Sequence, residues 1–490
     1  MKKIISFGLN LVFCFGAAAQ APEASSDKEV SISKIERKNR APVSKEILRV
    51  KLPKPVEMKL DNGLTVMILE DHRLPNVTLQ FMIKGAGPLD EPAAMPGLAS
   101  VTAQMLREGT KTRDSRQIAE ETDRMGATLF ASSNFGSPEA TIIASGLSDN
   151  FDQWFALATD VLLHPSFPAG ELNKSKQRQL VALRQQRSSP SFLASERFNK
   201  AVYGTFPAAV VSATPESLQA MTSEMLAKWH AERYVPQNAI LGIAGDVTAA
   251  QLIPKLKATL AEWKRTSYEE KLPPNPAPVA EKKILLVNRP NSVQTNLILG
   301  NIAIDRLSPD YIPVTVMNRV LGGGGSSRLF MKLREEKGYT YGAYSGIAAA
   351  QFPGPWRAYS DVRTEVTDGA MTEFMNELRR IREEKVPAQE LEEATHSLVA
   401  AFALSLEQPS QLLSYAITRT RYNLPADYWE TYPAKIAAVS ADDIARVAKK
   451  YINLDTVQVV AVGDASKIKT ILEKYGPVTV YDTEGKVVTN

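Results

Sequence analysis

The sequence runs to 490 residues, of which 44% are apolar and 23% charged, with a formal net charge of +4. A chain of this length can bury more than one core, so two or more globular domains of a soluble protein are expected. The small positive balance is scattered rather than clustered, which leaves no electrostatic footprint for nucleic acid as a partner.

At the start, Lys2 and Lys3 precede an apolar run from Ile4 to Phe15 and the small residues Gly16, Ala17, Ala18 and Ala19, so residues 1–19 read as a cleaved export signal. The run falls short of the roughly 20 residues needed to span a bilayer, and no stable membrane anchor is expected. The only cysteine, Cys14, lies inside this segment behind the bulky Phe13, where a lipoprotein signal carries a small residue. Removal of the segment leaves no thiol, which excludes disulfides, cysteine catalysis and cysteine metal sites from the mature chain. Export without an anchor points to the periplasm. Residues 20–50 are polar, mixed in charge and poor in aromatics, and read as a flexible leader.

Folded structure is expected from residue 51. Leu64–Leu69 and Val77–Ile83 have the composition of strands. In Phe151–Leu163 the residues Phe151, Trp154, Phe155, Ala158, Val161 and Leu162 recur at helical spacing, which predicts a helix packing one face on a sheet. Pro273, Pro274, Pro276 and Pro278 stiffen a polar connector, so residues 51–265 and 282–490 are expected to form two domains joined by a linker at 266–281.

The two halves repeat. Leu218-Gln-Ala-Met-Thr222 recurs as Ile436-Ala-Ala-Val-Ser440 and Gly245-Asp246 recurs as Gly463-Asp464, both at an offset of 218 residues. Between these landmarks each half carries a helix-like stretch and then an apolar strand, Ala239–Ala244 in the first and Val457–Val462 in the second. The fold class is α+β with two homologous domains, expected to face one another across a binding cleft.

The segment Pro96-Gly-Leu-Ala-Ser-Val-Thr-Ala-Gln-Met-Leu-Arg-Glu-Gly-Thr110 resembles the zinc helix of pitrilysin/insulinase-type peptidases, which read approximately G-L-A-H-x-x-E-H-M-L-x-x-G-T. Gly97, Leu98, Ala99, Met105, Leu106, Gly109 and Thr110 keep the frame. A zinc site needs two histidines four apart, because that spacing stacks two imidazoles on one helix face. Those positions hold Ser100 and Gln104, and the general-base glutamate between them is replaced by Ala103. The third ligand of such enzymes, a glutamate about 75 residues downstream, would fall within Asn173–Arg187, which contains no Asp or Glu; Gln177, Arg178 and Gln179 occupy the expected place. The four histidines, His72, His164, His230 and His396, are isolated in sequence, so no metal site is expected in this chain.

In the second half, Leu321-Gly-Gly-Gly-Gly-Ser-Ser-Arg-Leu-Phe-Met-Lys-Leu-Arg334-Glu-Glu-Lys-Gly-Tyr-Thr-Tyr341 resembles the second-domain motif of the same peptidases. There an arginine and a tyrosine seven residues later reach toward the zinc half, a separation kept by Arg334 and Tyr341. Both side chains can donate hydrogen bonds to charge building on a carbonyl oxygen. Glu335 and Glu336 read as a solvated helix face. Gly322–Gly325 lacks the Gly-Lys-Ser/Thr ending of a phosphate loop and reads as a hinge or a close backbone approach.

The resemblance implies two homologous domains, each a mainly antiparallel sheet packed with helices, as in processing peptidases. It also implies the chain lacking the zinc motif in a heterodimeric zinc endopeptidase. Arg334 and Tyr341 would then act in trans on a peptide substrate, with zinc held by a homologous partner subunit. The other reading from the residues is a catalytically inactive scaffold or peptide-binding protein of the same fold.

Overall fold

A computed structural model describes residue 46 and residues 48–488; the export signal and nearly all of the leader lie outside the described residues. The first half contributes strands β1 (Val56–Lys59), β2 (Thr65–Glu70), β3 (Asn76–Lys84), β4 (Thr128–Ser132), β5 (Glu139–Leu147) and β6 (Ala239–Gly245). Its helices are α1 (Leu98–Met105), α2 (Ser115–Arg124), α3 (Phe151–Leu163), α4 (Ala169–Arg187), α5 (Pro190–Tyr203), α6 (Pro215–Ala220), α7 (Ser223–Arg233) and α8 (Ala249–Thr259). The second half contributes β7 (Lys283–Asn288), β8 (Gln294–Ile304), β9 (Thr340–Ile347), β10 (Gly354–Arg363), β11 (Gln458–Gly463) and β12 (Val478–Tyr481). Its helices are α9 (Tyr311–Leu321), α10 (Arg328–Phe330), α11 (Thr367–Glu383), α12 (Ala388–Ser405), α13 (Pro409–Arg421), α14 (Tyr428–Ala437), α15 (Ala441–Tyr451) and α16 (Ala465–Glu473).

The strands form two six-stranded sheets, ordered β1-β2-β6-β3-β5-β4 and β12-β7-β11-β8-β10-β9. The sequence repeat is their common register: Thr78 pairs with Ala244 in the first sheet, and Asn296 with Val462, each 218 residues on, in the second. One edge departs from the symmetry. β1 enters antiparallel to β2 from the N-terminal side, whereas β12 joins β7 in parallel from the C-terminal end. Each sheet packs one face on its own helices; Phe81, Ile142 and Trp154 sit in the first core and Trp356, Phe374 and Val447 in the second. Helix α3 covers the span expected from its apolar period, with Phe151, Trp154, Phe155 and Val161 buried.

The opposite faces are closed by an exchange of helices. Helix α5 begins at Pro190 behind the Ser189 cap, a sequence well suited to a helix start. It lays Leu193, Phe198 and Val202 on Leu285, Ile298 and Val460 of the second sheet. Its repeat counterpart α13 lays Leu413 and Ile417 on Met67, Leu69 and Ile240 of the first. The expectation of a cleft between the halves is therefore corrected along this seam: burying two apolar helix faces outweighs keeping them in water, and the halves meet through dry packing. Gly242 makes the approach possible, since a Cβ there would lie 2.8 Å from both Leu413 Cδ1 and Ile417 Cδ1. Ile417→Val removes that Cδ1 alone, and we expect a loss of about 0.5–1.5 kcal/mol, read as a shift of the urea midpoint at constant slope.

The proline-rich connector runs without helix or strand and is pinned to both halves. Gln237 Nε2 donates to the carbonyls of Thr266 and Tyr268 at 3.0 and 2.9 Å, and Tyr268 OH donates to Gly85 O at 3.1 Å. Arg421, at the end of α13, forks onto Glu270 of the connector at 2.9 and 2.7 Å and reaches Glu139 of β5 at 3.4 Å.

Candidate functional site

Helix α1 carries the zinc-helix frame. Its N-cap is Gly97 at φ 93°, which supplies no side-chain acceptor. The cap comes instead from Glu91, whose carboxyl accepts from Gly97 N at 2.8 Å and Ala99 N at 3.1 Å. Burial pushes this carboxyl up to about 7, against the lowering effect of those amides, and burial also pushes the neighbouring Asp90 up to about 6. Both groups hold protons more tightly folded than unfolded. Their contribution to stability is thus full below the ordinary carboxylate range and is lost as pH rises through the folded values. We expect the melting temperature to fall between about pH 5 and about pH 8, and Glu91→Gln to flatten that slope.

The three lost positions are now defined by contacts. Ser100 is buried and its Oγ donates to Ser133 O at 2.5 Å, and Ala103 is buried in the core. Gln104 faces out, where its Oε1 accepts from Gln179 Nε2 at 3.2 Å; Gln179 Nε2 also lies 3.2 Å from Ser175 Oγ. Of the three candidates on α4, geometry selects Gln179. An amide–amide hydrogen bond between helices α1 and α4 thus stands where a histidine–metal–glutamate bridge would be. Neutral amides and an alanine do not fit Zn2+, which takes thiolate, imidazole or carboxylate donors. Arg178 adds a cation to this groove, 3.7 Å from Glu108, and Arg107 lies over the exposed ring of Phe130 at 5.5 Å.

The histidines are dispersed. His72 meets Asp246 at 2.6 Å, His164 meets Asp160 at 3.1 Å, and the half-buried His230 meets Leu162 O at 2.7 Å. Burial pushes His230 down to about 4, so it is neutral. Among the described residues no group of three or more His, Cys, Asp or Glu side chains converges as a metal site.

In the second half, α10 runs straight into a π-helical turn, Met331–Glu336, which ends at Gly338 with φ 60° and leads into β9. Arg334 projects from the π turn with its guanidinium 4.8 Å from the Phe330 ring centre, and Glu335 and Glu336 are exposed. Arg328 is different: buried, it forks onto Glu390 at 2.7 Å through both Nε and Nη2. Strand β9 then carries a bulge. Ser360 pairs with Ala343 but Val362 pairs with Thr340, so Tyr341 and Gly342 together stand opposite Asp361. Such a bulge re-aims a side chain, and Tyr341 is 89% exposed at the sheet edge. No hydrogen bond or ion pair joins it to Arg334 among the described residues.

The glycine-rich stretch is a close approach. A Cβ on Gly322 would come within 2.3 Å of Ser345 N, which donates to Gly322 O at 2.9 Å. Ser327 Oγ holds Gly324 O at 2.5 Å, and the Arg319 guanidinium donates to Gly323 O and Ser397 Oγ. These contacts pin the loop against the edge of β9 at Ser345. Sequence reasoning missed the Glu91 cap and the Tyr341 bulge, neither of which has a local composition signal.

Two family profiles match consecutive parts of the chain: "Insulinase (Peptidase family M16)" over residues 65–215 and "Peptidase M16 inactive domain" over residues 220–398. The chain belongs to the M16 peptidase family. Relatives include "Uncharacterized zinc protease YmxG" of Bacillus subtilis, 25% identical over 72% of this chain and 85% of that protein. Another is "Non-peptidase homolog YmxG" of Helicobacter pylori, 24% identical over 82% of this chain and 93% of that protein. The crystal structure of a peptidase M16 inactive domain from Pseudomonas fluorescens superposes with a TM-score of 0.78 at 27% identity, covering 84% of this chain and 98% of that one. The M16 frame in α1, with Ser100, Ala103 and Gln104 in place of its chemistry, marks an inactive-type member. The two six-stranded sheets packed with helices are the two-domain M16 fold, as the sequence analysis expected.

Proposed function

We propose that this M16 chain is the non-zinc subunit of a heterodimeric zinc endopeptidase, offering Arg334 and Tyr341 in trans to a peptide held over a partner's metal. The observation that carries this reading is the pairing of two features. The metal position is closed by the Gln104–Gln179 amide pair, while Tyr341 stands bulged out and unpartnered at the edge of the second sheet. Among the described residues the exposed phenol has no hydrogen-bond partner, so its O–H is free to donate. Substrates are extended peptides able to add to a sheet edge. The setting is the periplasm, reached through the export signal, and zinc is supplied by the homologous partner. Among the described residues no helix is long and apolar enough to cross a membrane.

The test begins with the chain purified alone, which should bind no stoichiometric zinc and cleave no peptide. Mixing with a homologous subunit carrying H-x-x-E-H should produce cleavage that neither chain shows by itself. One tightly held zinc and hydrolysis by the lone chain would overturn the proposal. A second reading, a scaffold or peptide-binding protein without enzymatic part, takes support from the name "Non-peptidase homolog" borne by the Helicobacter pylori relative. It is favoured if the mixture assembles and cleavage is indifferent to this chain.

A further inference from the structure

In a strand of regular period two, Tyr341 would share the face of Ala343 and Ser345, both of which are buried. The extra residue at Tyr341 and Gly342 turns the phenol out instead, and such an insertion leaves backbone groups without ladder partners. Two hydroxyls take them. Thr340 Oγ1 donates to Asp361 O at 2.6 Å and accepts from Gly342 N at 3.1 Å. Ser360 Oγ, buried on the core side of β10, donates to Gly342 O at 2.9 Å and stands 3.0 Å from Thr340 Oγ1. On the opposite side the Tyr344 ring lies over the bulge, where a Cβ on Gly342 would come within 2.6 Å of it. Just beyond, Ser345 N donates to Gly322 O at 2.9 Å and fixes the strand. The backbone that carries Tyr341 is thus held from both faces of the sheet.

From this arrangement we infer that Thr340 and Ser360 are positioning residues, whose paired hydroxyls lock the bulge and hold the Tyr341 phenol in a fixed direction before any partner binds. The inference rests on the proposed role of Tyr341 and adds the device that orients it. A donor stabilises developing charge efficiently only when it is already aimed, with no reorganisation left for the moment of reaction. Water is a poor substitute for the hydroxyls, because it would have to enter beneath the strand where Ser360 is buried. With the hydroxyls gone, the bulge loosens and the phenol, still present, spreads over many directions. Neither Thr340 nor Ser360 touches the peptide in this account; both act through Tyr341.

The experiment has two arms. On the full chain alone, hydrogen–deuterium exchange by mass spectrometry follows the segment from Tyr339 to Ala343. Thr340→Val, which puts a methyl in place of the hydroxyl at a half-buried position, should speed exchange there roughly five- to tenfold, as for loss of one hydrogen bond. Thr340→Ser should leave it near the parent rate. In the mixture with a zinc-bearing homologous subunit, cleavage of an internally quenched fluorescent peptide mixture gives kcat and KM. Thr340→Val and Ser360→Ala should each lower kcat by about tenfold to a hundredfold with KM within about twofold, and Thr340→Ser should recover most of the loss. In a Tyr341→Phe background neither change should slow cleavage further, since the donor they orient is gone. An unchanged rate in both variants, with Tyr341→Phe still slow, would overturn the inference and leave the proposed function standing. A loss as large in the Tyr341→Phe background as in the parent would overturn it too, as the mark of a merely structural role. A parent mixture that cleaves nothing would overturn the proposed function and the positioning role together.

Discussion

Arg421→Ala should cost about 3–5 kcal/mol of stability, the range for removing one partner from a buried charge pair. The Arg421 side chain is 3% exposed and donates through both terminal nitrogens to Glu270, with Glu139 as a second acceptor. The three residues come from α13, the connector and β5, so one guanidinium ties both halves to the chain that joins them. Without it, two half-sequestered carboxylates face each other, and among the described residues Lys84, 3.7 Å from Glu270, is the remaining ion-pair partner. Burial already raises the Glu139 pKa, and the Arg421 charge is the main influence lowering it. The variant should therefore protonate Glu139 at higher pH, and its deficit relative to the parent should shrink in acid and grow toward alkaline pH. Arg421→Met restores packing along the side-chain stem but leaves the carboxylates unpaired. Adding Glu270→Gln and Glu139→Gln to it should recover most of the loss, as replacement of a whole buried ion cluster commonly does. Urea unfolding of the series at two pH values checks this; equal deficits in Arg421→Ala and the triple variant would remove the charge argument.

That cluster illustrates what a single sequence holds and what it does not. The repeat was legible because strand pairing copies a fixed register. Shifting Ala244 by 218 residues gives Val462, and each is paired to the corresponding residue of its own sheet. Helix α3 was legible because one face meets one core, which imposes a single period on Phe151 to Leu162. The replacement of the family's His, Glu and His by Ser100, Ala103 and Gln104 was legible because their spacing is set by one helix. Contacts between distant elements were not. Helices α5 and α13 look like ordinary amphipathic helices, and nothing in their own pattern says that each covers the other half's sheet. Gln179 could be narrowed to three neighbours on α4, but only the crossing of α1 and α4 chooses among them. The burial of Arg328 had no local signal because its partner Glu390 lies 62 positions away. The bulge at Tyr341 depends on the register of β10 against β9, which no local signal encodes.

Once the zinc partner is present, Tyr341→Phe should lower kcat for peptide cleavage by about 10- to 1000-fold, the effect of deleting one preorganised donor at developing negative charge. The substitution removes a single O–H from a ring that is 89% exposed and makes no side-chain hydrogen bond among the described residues. Stability should therefore stay within about 0.5 kcal/mol of the parent, which separates chemistry from folding in a way few active-site changes allow. Arg334→Ala should produce a loss of similar size, with a small added cost of about 0.5–1 kcal/mol from the lost contact with the Phe330 ring. Arg334→Lys keeps the charge but not the planar fork, and it should restore part of the rate if charge matters and little if geometry does. Because the donors act on the transition state, KM should move far less than kcat. A rate unchanged in both Tyr341→Phe and Arg334→Ala, with assembly intact, would leave the exposed phenol without a role and shift the balance to the scaffold reading. The π turn and the bulge bear on the same point. Each departs from regular pairing and costs backbone hydrogen bonding, and each sits under one of the two proposed donors, where presenting a side chain to a partner is a reason for keeping it.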